Sequence, residues 1–300
     1  MQYKCSDYTL IYSIINDETS YICIDGIKYP DSEFAKHGFL EIPSHIDGLE
    51  VRRINGTSFE DDINIKKVVI PDTVKEIGAF AFAHSLIEHV KLPSKLRRLS
   101  GGVFSRCPNL EHIVLPEGLE EIFRGAFESC KKLSELVIPD NVNFCEHSVV
   151  DSCISLRSIH IGDKLCQINN SSGLGAFAFN CPSLTKITVS ENNKTFKVYD
   201  NVLYNVQDKI FLKAFNKSYE RDIVVPKWVK DIGHCAFRDV VVDKVAFKAS
   251  NLPNIDNSYT HNIKKVFCKK DSNVYDYFIS KGVDVSTDLN SDINNFINSI

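Results

Sequence analysis

Three groups of side chains in this 300-residue chain have the types and spacings that chemistry uses. Cys107, Cys130 and Cys153 lie 23 residues apart, and Cys181 follows after a longer interval. His89, His112 and Glu135 recur at the same spacing and are donor types that a divalent cation accepts. Lys186, Lys244, Lys264 and Lys265, with Lys67 and Lys91, make a run of cations suited to an acidic partner. A catalytic thiol needs a base beside it, and a metal needs ligands that converge on one point. Whether these residues converge depends on the elements that carry them.

Those elements belong to a repeat. Pro71, Pro93, Pro116 and Pro139 are spaced at intervals of 22 to 23 residues, with Gly162 where the next would fall. Before each turn runs a short alternating segment: IKKVVI (65–70), IEHVKL (87–92), LEHIVL (110–115), LSELVI (133–138), LRSIHI (156–161), LTKITV (184–189), VDKVAF (242–247) and IKKVFC (263–268). The alternation predicts a strand with its fourth and sixth residues buried. One such strand cannot bury its face alone, but a stack of them can. The expected fold is therefore a mainly β, right-handed repeat solenoid with one parallel sheet and rungs about 4.8 Å apart. Phe59, Phe82, Phe104, Phe127, Phe179 and Phe237 share one slot and are expected to stack inside, with Val150 and looser packing in the coil between Phe127 and Phe179.

This geometry decides between the chemical readings. A column of cysteines on stacked rungs is expected to be core packing, because a thiol is small and near-apolar. Parallel Cβ vectors suit neither a disulfide nor a tetrahedral metal site. Cys5, Cys23, Cys145, Cys166, Cys235 and Cys268 stand outside the column and form no CxxC pair. For His89, His112 and Glu135, rung spacing puts the first and third ligands about 10 Å apart, too far for one ion.

Residues three and five of each strand are expected to point away from the core, onto a face open to a partner. The third-position column is Lys67, His89, His112, Glu135, Ser158, Lys186, Lys244 and Lys265; the fifth is Val69, Lys91, Val114, Val137, His160, Thr188, Ala246 and Phe267. Of these, Lys67, Val69, His89, Lys91, His112, Val114, Glu135, Val137, His160, Lys186, Lys244 and Lys265 are the candidate contacts.

The remainder reads as caps and an interruption. Residues 1–42 hold two alternating runs and predict a β-hairpin cap to the repeats of 43–189. Residues 190–222 break the period and predict inserted short strands around turns at Asp200-Asn201 and Gln207-Asp208, with Tyr199, Tyr204 and Phe211 as further contact candidates. Repeats resume over 223–270. In 271–300, Asp271 as N-cap and Gly282 as stop predict a short closing helix, followed by a polar tail.

Composition excludes several classes. With 43% hydrophobic and 25% charged residues the chain can build a sizeable core. A net charge of −4 argues against nucleic acid as the partner. No window carries the ~18 apolar residues of a membrane helix. No phosphate loop, GxSxG or HExxH is present, so no enzyme activity, catalytic residue, metal or cofactor is expected. The N-terminal segment MQYKCSDYTLIYSIINDETS does not read as a secretion leader, which leaves two expectations, a cytoplasmic protein or one whose leader has been removed.

The phrases IPDTVKEIGAFAF, LPEGLEEIFRGAFESCKKLSELVIP and VPKWVKDIGHCAF resemble the BspA-like leucine-rich repeats, also called the Treponema pallidum type. The resemblance covers roughly residues 40–270, and DNVLYN within the interruption looks like an insertion of the same family. It implies a curved leucine-rich-repeat solenoid with the parallel sheet on its concave side. It also implies a bacterial surface or secreted protein that binds host proteins or other cells, and the expected ligand is a protein or a glycan. The sequence thus predicts a non-enzymatic binding scaffold. The alternatives are an intracellular structural or self-associating repeat protein and a metal-dependent protein using the histidines.

Overall fold

A strand of three or four residues leaves both edges unsatisfied, so it persists only where neighbours continue the ladder. The computed structural model describes residues 1–29, 38–169, 178, 180–215, 222–233, 235–248, 251–252, 255 and 260–287. Over these residues the chain winds into a mainly β solenoid of about nine turns with one short helix. On one side, the open face, Phe39–Glu41, Lys67–Val69 and His89–Lys91 pair in parallel, as do Glu135–Ile138, Ser158–Ile161 and Lys186–Val189. On a second side Leu49–Ile54 pairs with Glu76–Ile77, and Arg98–Leu99, Glu121–Ile122, Phe144–Glu146 and Gln167–Asn169 make another parallel ladder.

The third side is made of turns, and they also form a ladder. Alternate residues donate their N–H to the next coil: Phe80 to Gly101 O at 3.0 Å, Phe82 to Val103 O at 3.0 Å and His84 to Ser105 O at 2.8 Å. Aiming three alternate amides the same way requires left-handed backbone two residues before and two after the slot residue. Phe80 and His84, with φ of 58° and 61°, take those positions in one coil, and Gly102 and Arg106, at 62° and 57°, in the next. A non-glycine residue there costs roughly 1–2 kcal/mol, which the repeated inter-coil hydrogen bonds offset. Gly102 also leaves room for the Phe80 ring, which a Cβ there would push aside.

Inside the first stack the slot residues Phe59, Phe82, Phe104 and Phe127 lie ring on ring, with centroids 5.0, 5.6 and 5.9 Å apart and planes within 15°. Val150 continues the column fully buried. Phe179 lies outside the described residues, and Ala178, three residues before Cys181 as Phe127 is before Cys130, is buried. Phe237 does not extend this spine, because its ring packs 4.9 Å from Phe211 of the interruption.

The cysteine column is buried, and it does more than fill space. Cys107, Cys130, Cys153 and Cys181 each donate the thiol hydrogen to a carbonyl of the preceding coil, Phe82, Phe104, Phe127 and Val150 respectively, at 3.0 to 3.1 Å. Ser85 fills the same position one coil earlier and bonds its own Phe82 carbonyl at 2.7 Å. A donor thiol in a dry interior resists ionisation. Burial raises Cys107 to about 11 and Cys181 to about 12, and lifts Cys130 and Cys153 well above the ordinary thiol value. Of the ten cysteines eight are buried, Cys5 is half-buried and Cys166 is exposed. A small alkylating reagent at neutral pH is therefore expected to modify Cys166 in a fast phase that Cys166→Ser abolishes, with the column reacting only on unfolding. Column thiols that matched the rate of Cys166 would refute the buried donor arrangement.

The interruption builds a partition. Phe196–Tyr199, Val202–Asn205 and Ile210–Ala214 form an antiparallel meander, turned at Asp200 and Asn201 with φ of 47° and 58°, a pair that suits a tight hairpin. Phe196, Leu203, Leu212 and Phe215 face the first core, whereas Val202, Tyr204, Phe211 and Ala214 face a second. The strand Ile210–Ala214 then pairs in parallel with Asp231–Ile232, so the meander substitutes for a preceding coil. Beyond it Ile223–Val225, Val242–Phe247, Ile263–Phe267 and Asp284–Ser286 stack in parallel.

The ends are covered differently. At the start, Gln2–Lys4, Thr9–Ile15 and Tyr21–Lys28 form an antiparallel hairpin set, and the last of these pairs in parallel with Leu49–Ile54. Phe39–Glu41 has no strand on its outer edge among the described residues. Instead the Tyr8 hydroxyl donates to Glu41 O at 2.5 Å and accepts from Glu41 N at 3.3 Å, one side chain standing in for a strand. At the other end the helix Asn273–Ser280 starts one residue later than the sequence suggests. Ser272, not Asp271, is the N-cap, accepting from Tyr275 N, while Asp271 sits in the left-handed region at φ 59°. Gly282, at φ 70°, ends it as expected.

One expected strand is missing. Residues 111–116 carry no ladder, so LEHIVL leaves a gap in the open-face sheet between His89–Lys91 and Glu135–Ile138. The other two sides of that coil keep their hydrogen bonds, including Phe104 N to Ala126 O at 2.9 Å and Glu120 N to Arg97 O at 2.8 Å. Leu110 and Leu115 stay buried without the ladder, while Ile113, the fourth residue of the run, is half-buried like Val90 of the preceding coil, which does pair, so burial does not reveal the loss. Amides of residues 112–115 are expected to exchange with solvent hydrogen at least tenfold faster than those of Ser158–Ile161, which pair on both sides. Equal protection in the two peptides would mean that the ladder is closed in solution.

Candidate interaction surface on the open face

The alternation that buries Val68, Leu136, Ile159 and Ile187 turns their neighbours outward. Lys67, His89, Lys91, His112, Val114, Glu135, Val137 and Lys186 are all exposed, with Val69, Ser158, His160 and Thr188 half-buried among them. Two of the largest apolar exposures of the described chain fall here, Val114 at 83% and Val137 at 52%, on neighbouring coils. Phe39, 45% exposed, stands opposite Lys67 across the ladder and adds an aromatic ring to the same face. The sequence carried a signal for it, since Leu40, Ile42 and Pro43 repeat the spacing of Val68, Ile70 and Pro71.

Polar groups on this face are lightly tied. The His112 Nδ1 and Glu135 Oε1 atoms are 3.9 Å apart with both side chains about 60% exposed, a weak contact. His160 Nδ1 bonds Thr188 Oγ1 at 2.9 Å. Among the described residues no three His, Cys, Asp or Glu side chains gather as a metal site.

In the second stack the face changes character. Ala246 and Phe267 are buried at the fifth position, against Val224, so that column does not stay open. The third-position lysines are met by acids on adjacent strands: Lys244 by Asp222 at 3.8 Å and Lys265 by Asp284 at 3.5 Å, with Lys264 and Asp243 at 2.7 Å. Lys244, Lys264 and Lys265 are therefore paired charges rather than a bare cationic stripe.

At the first rung an open cleft of about 560 Å³ lies between the N-terminal hairpin and the sheet, lined by Tyr3, Cys5, Glu41, His45, Val69 and Pro71 among others. No described helix is long and apolar enough to cross a membrane.

A stack of parallel rungs, one side closed by turns and one presenting a mixed polar and apolar sheet, is the architecture of a leucine-rich-repeat scaffold. The chain belongs to the BspA type leucine rich repeat family, whose model matches six copies over residues 52–172 and 208–274, more than half of its length. Solved structures agree on the fold. The leucine rich repeat protein of T. pallidum is 24% identical with a TM-score of 0.52, over 60% of this chain and 82% of its own. A leucine rich cell surface protein of Faecalibacterium prausnitzii is 18% identical with a TM-score of 0.60, over 89% and 88% of the two chains. The pneumococcal vaccine antigen PcpA is 16% identical with a TM-score of 0.67, over 84% and 66%. No curated protein matches the sequence.

Proposed function

We propose that this protein is a non-enzymatic scaffold that holds a macromolecular partner, a protein at another cell's surface or in its matrix, on the open face of its first stack. The observation that carries the reading is the run of outward side chains from Phe39 to Lys186, in which Val114 and Val137 stand exposed between His112, Glu135, Lys91 and His160. Neighbouring apolar side chains that stay open within a mixed polar face have the make-up of a protein interaction surface. The contact is spread over rungs, so no single residue dominates. An adhesive role at a cell surface extends to this chain the location named for the F. prausnitzii structure.

The test is binding of purified protein to intact cells and to immobilised matrix proteins, alongside protease shaving of source cells. Val114→Asp with Val137→Asp is expected to weaken binding at least tenfold with an unchanged melting temperature, and His112→Ala less than threefold. Binding that survives the double substitution would remove the open face from consideration.

A further inference from the structure

Trp228 is the single tryptophan of the chain, and it is 38% exposed. Its ring centroid lies 5.2 Å from that of Tyr204, and Tyr199, 53% exposed, approaches the same ring at 5.9 Å. Tyr204 is 2% exposed and meets Phe211 edge-on at 5.4 Å, and Phe211 in turn packs on Phe237 inside the second core. Two open rings are thus held at tilts of 47° and 57° to a buried ring that the core fixes. Other exposed aromatic rings, Phe39 and Phe80, have no such neighbours among the described contacts.

The surroundings are polar. Lys197 stands directly opposite Tyr204 across the strand pair and so shares its face, with Nζ donating to Glu191 O at 3.1 Å. Asp200 and Asn201 form the turn that follows Tyr199, and Lys227 precedes Trp228, exposed.

We propose that Tyr199 and Trp228, held on the buried ring of Tyr204, form a carbohydrate-binding platform for a neutral oligosaccharide. The flat CH-bearing face of a hexopyranose ring would lie on the open aromatic rings while its hydroxyls meet Asp200, Asn201 and Lys197. A pyranose has an apolar face and a rim of groups that both donate and accept hydrogen bonds, and the platform offers rings together with a carboxylate acceptor, an amide and an ammonium donor. A proline-rich peptide also favours aromatic surfaces, but it presents mostly carbonyl acceptors and would bury the Asp200 carboxylate without a donor. Rings already fixed by packing lose little freedom on binding, which favours a weakly held ligand such as a sugar.

Because Trp228 is the only tryptophan, its emission reports on the platform directly. Purified full-length protein is titrated with hexasaccharides built from glucose, galactose, mannose or N-acetylglucosamine, and with decaproline. The expected result is a saturable emission change with at least one hexasaccharide and none with decaproline. Tyr199→Ala weakens that response at least tenfold while the circular dichroism and melting temperature stay unchanged. The Val114→Asp and Val137→Asp protein keeps the sugar response in full, so this site and the open-face reading stand or fall separately. Absence of saturation with all four sugars at millimolar concentration overturns the proposal, as does a decaproline response matching or exceeding that of the sugars. An undiminished response in Tyr199→Ala overturns it equally.

Discussion

Phe127→Ala is expected to lower the unfolding free energy by about 3–5 kcal/mol, a large-to-small change in a sealed core. Phe127 has no exposed surface, and its ring lies 5.9 Å from Phe104 with planes 10° apart. On its far side the slot is filled by Val150, which is too short to reach across the space a lost ring would leave. The backbone cannot collapse into that space either, because Phe127 N is bonded to Val149 O at 2.9 Å and Ser129 N to Asp151 O at 2.7 Å. Phe80→Ala supplies the contrast. It removes the same ring from a side chain that is 46% exposed, outside the spine, and is expected to cost less than about 1 kcal/mol. Urea denaturation of both proteins decides the matter. Equal losses would mean that the spine does not hold the coils together.

The repeat was legible because burial imposes a recurring pattern on the coils, although Val90 and Ile113 at the fourth position are only half-buried. Val68, Leu136, Ile159 and Ile187 are buried where a period of two places them, and the four stacked phenylalanines follow from one recurring slot. What the pattern did not encode is hydrogen bonding that does not change burial. The ladder is open at residues 111–116 although Leu110 and Leu115 are buried like their counterparts. The cysteine column reads in sequence as small apolar filler, yet its thiols are donors to the carbonyls of the coil before, a contact between residues 25 to 31 positions apart. Local alternation also misleads where a second layer covers a face, as at Ala246 and Phe267. On the candidate surface, the outward positions follow from the period, but the partners of Lys244, Lys264 and Lys265 depend on which strand stacks next. Trp228 joins Tyr199 and Tyr204 only because the meander replaces a coil, so nothing in its own neighbourhood of sequence announces the cluster.

Asp239→Ala is expected to destabilise the chain by about 3–5 kcal/mol, the cost of leaving a buried charge without its counterion. Lys213, on the inserted strand Ile210–Ala214, and Asp239, in the second stack, approach to 3.3 Å with side chains only 7% and 15% exposed. Lys213 Nζ also donates to Arg238 O at 2.7 Å, and Asp239 accepts from Cys181 N at 3.3 Å, at the end of the first stack. One carboxylate therefore ties the insertion to both stacks, where no apolar core is shared by all three. The lysine is already strained as an ion, since burial lowers its pKa and the Asp239 charge opposes that shift. With the aspartate gone the shift deepens. A lysine that ionises less readily folded than unfolded makes stability rise with pH between its folded pKa and its unfolded value near 10.5. The deficit of Asp239→Ala relative to the parent protein should therefore shrink as pH is raised toward 10.5. Replacing both partners, Lys213→Met with Asp239→Leu, removes the charge problem and is expected to recover most of the loss. A pH-independent deficit, or a double variant as unstable as the single one, would show that the site matters for packing and not for its charges.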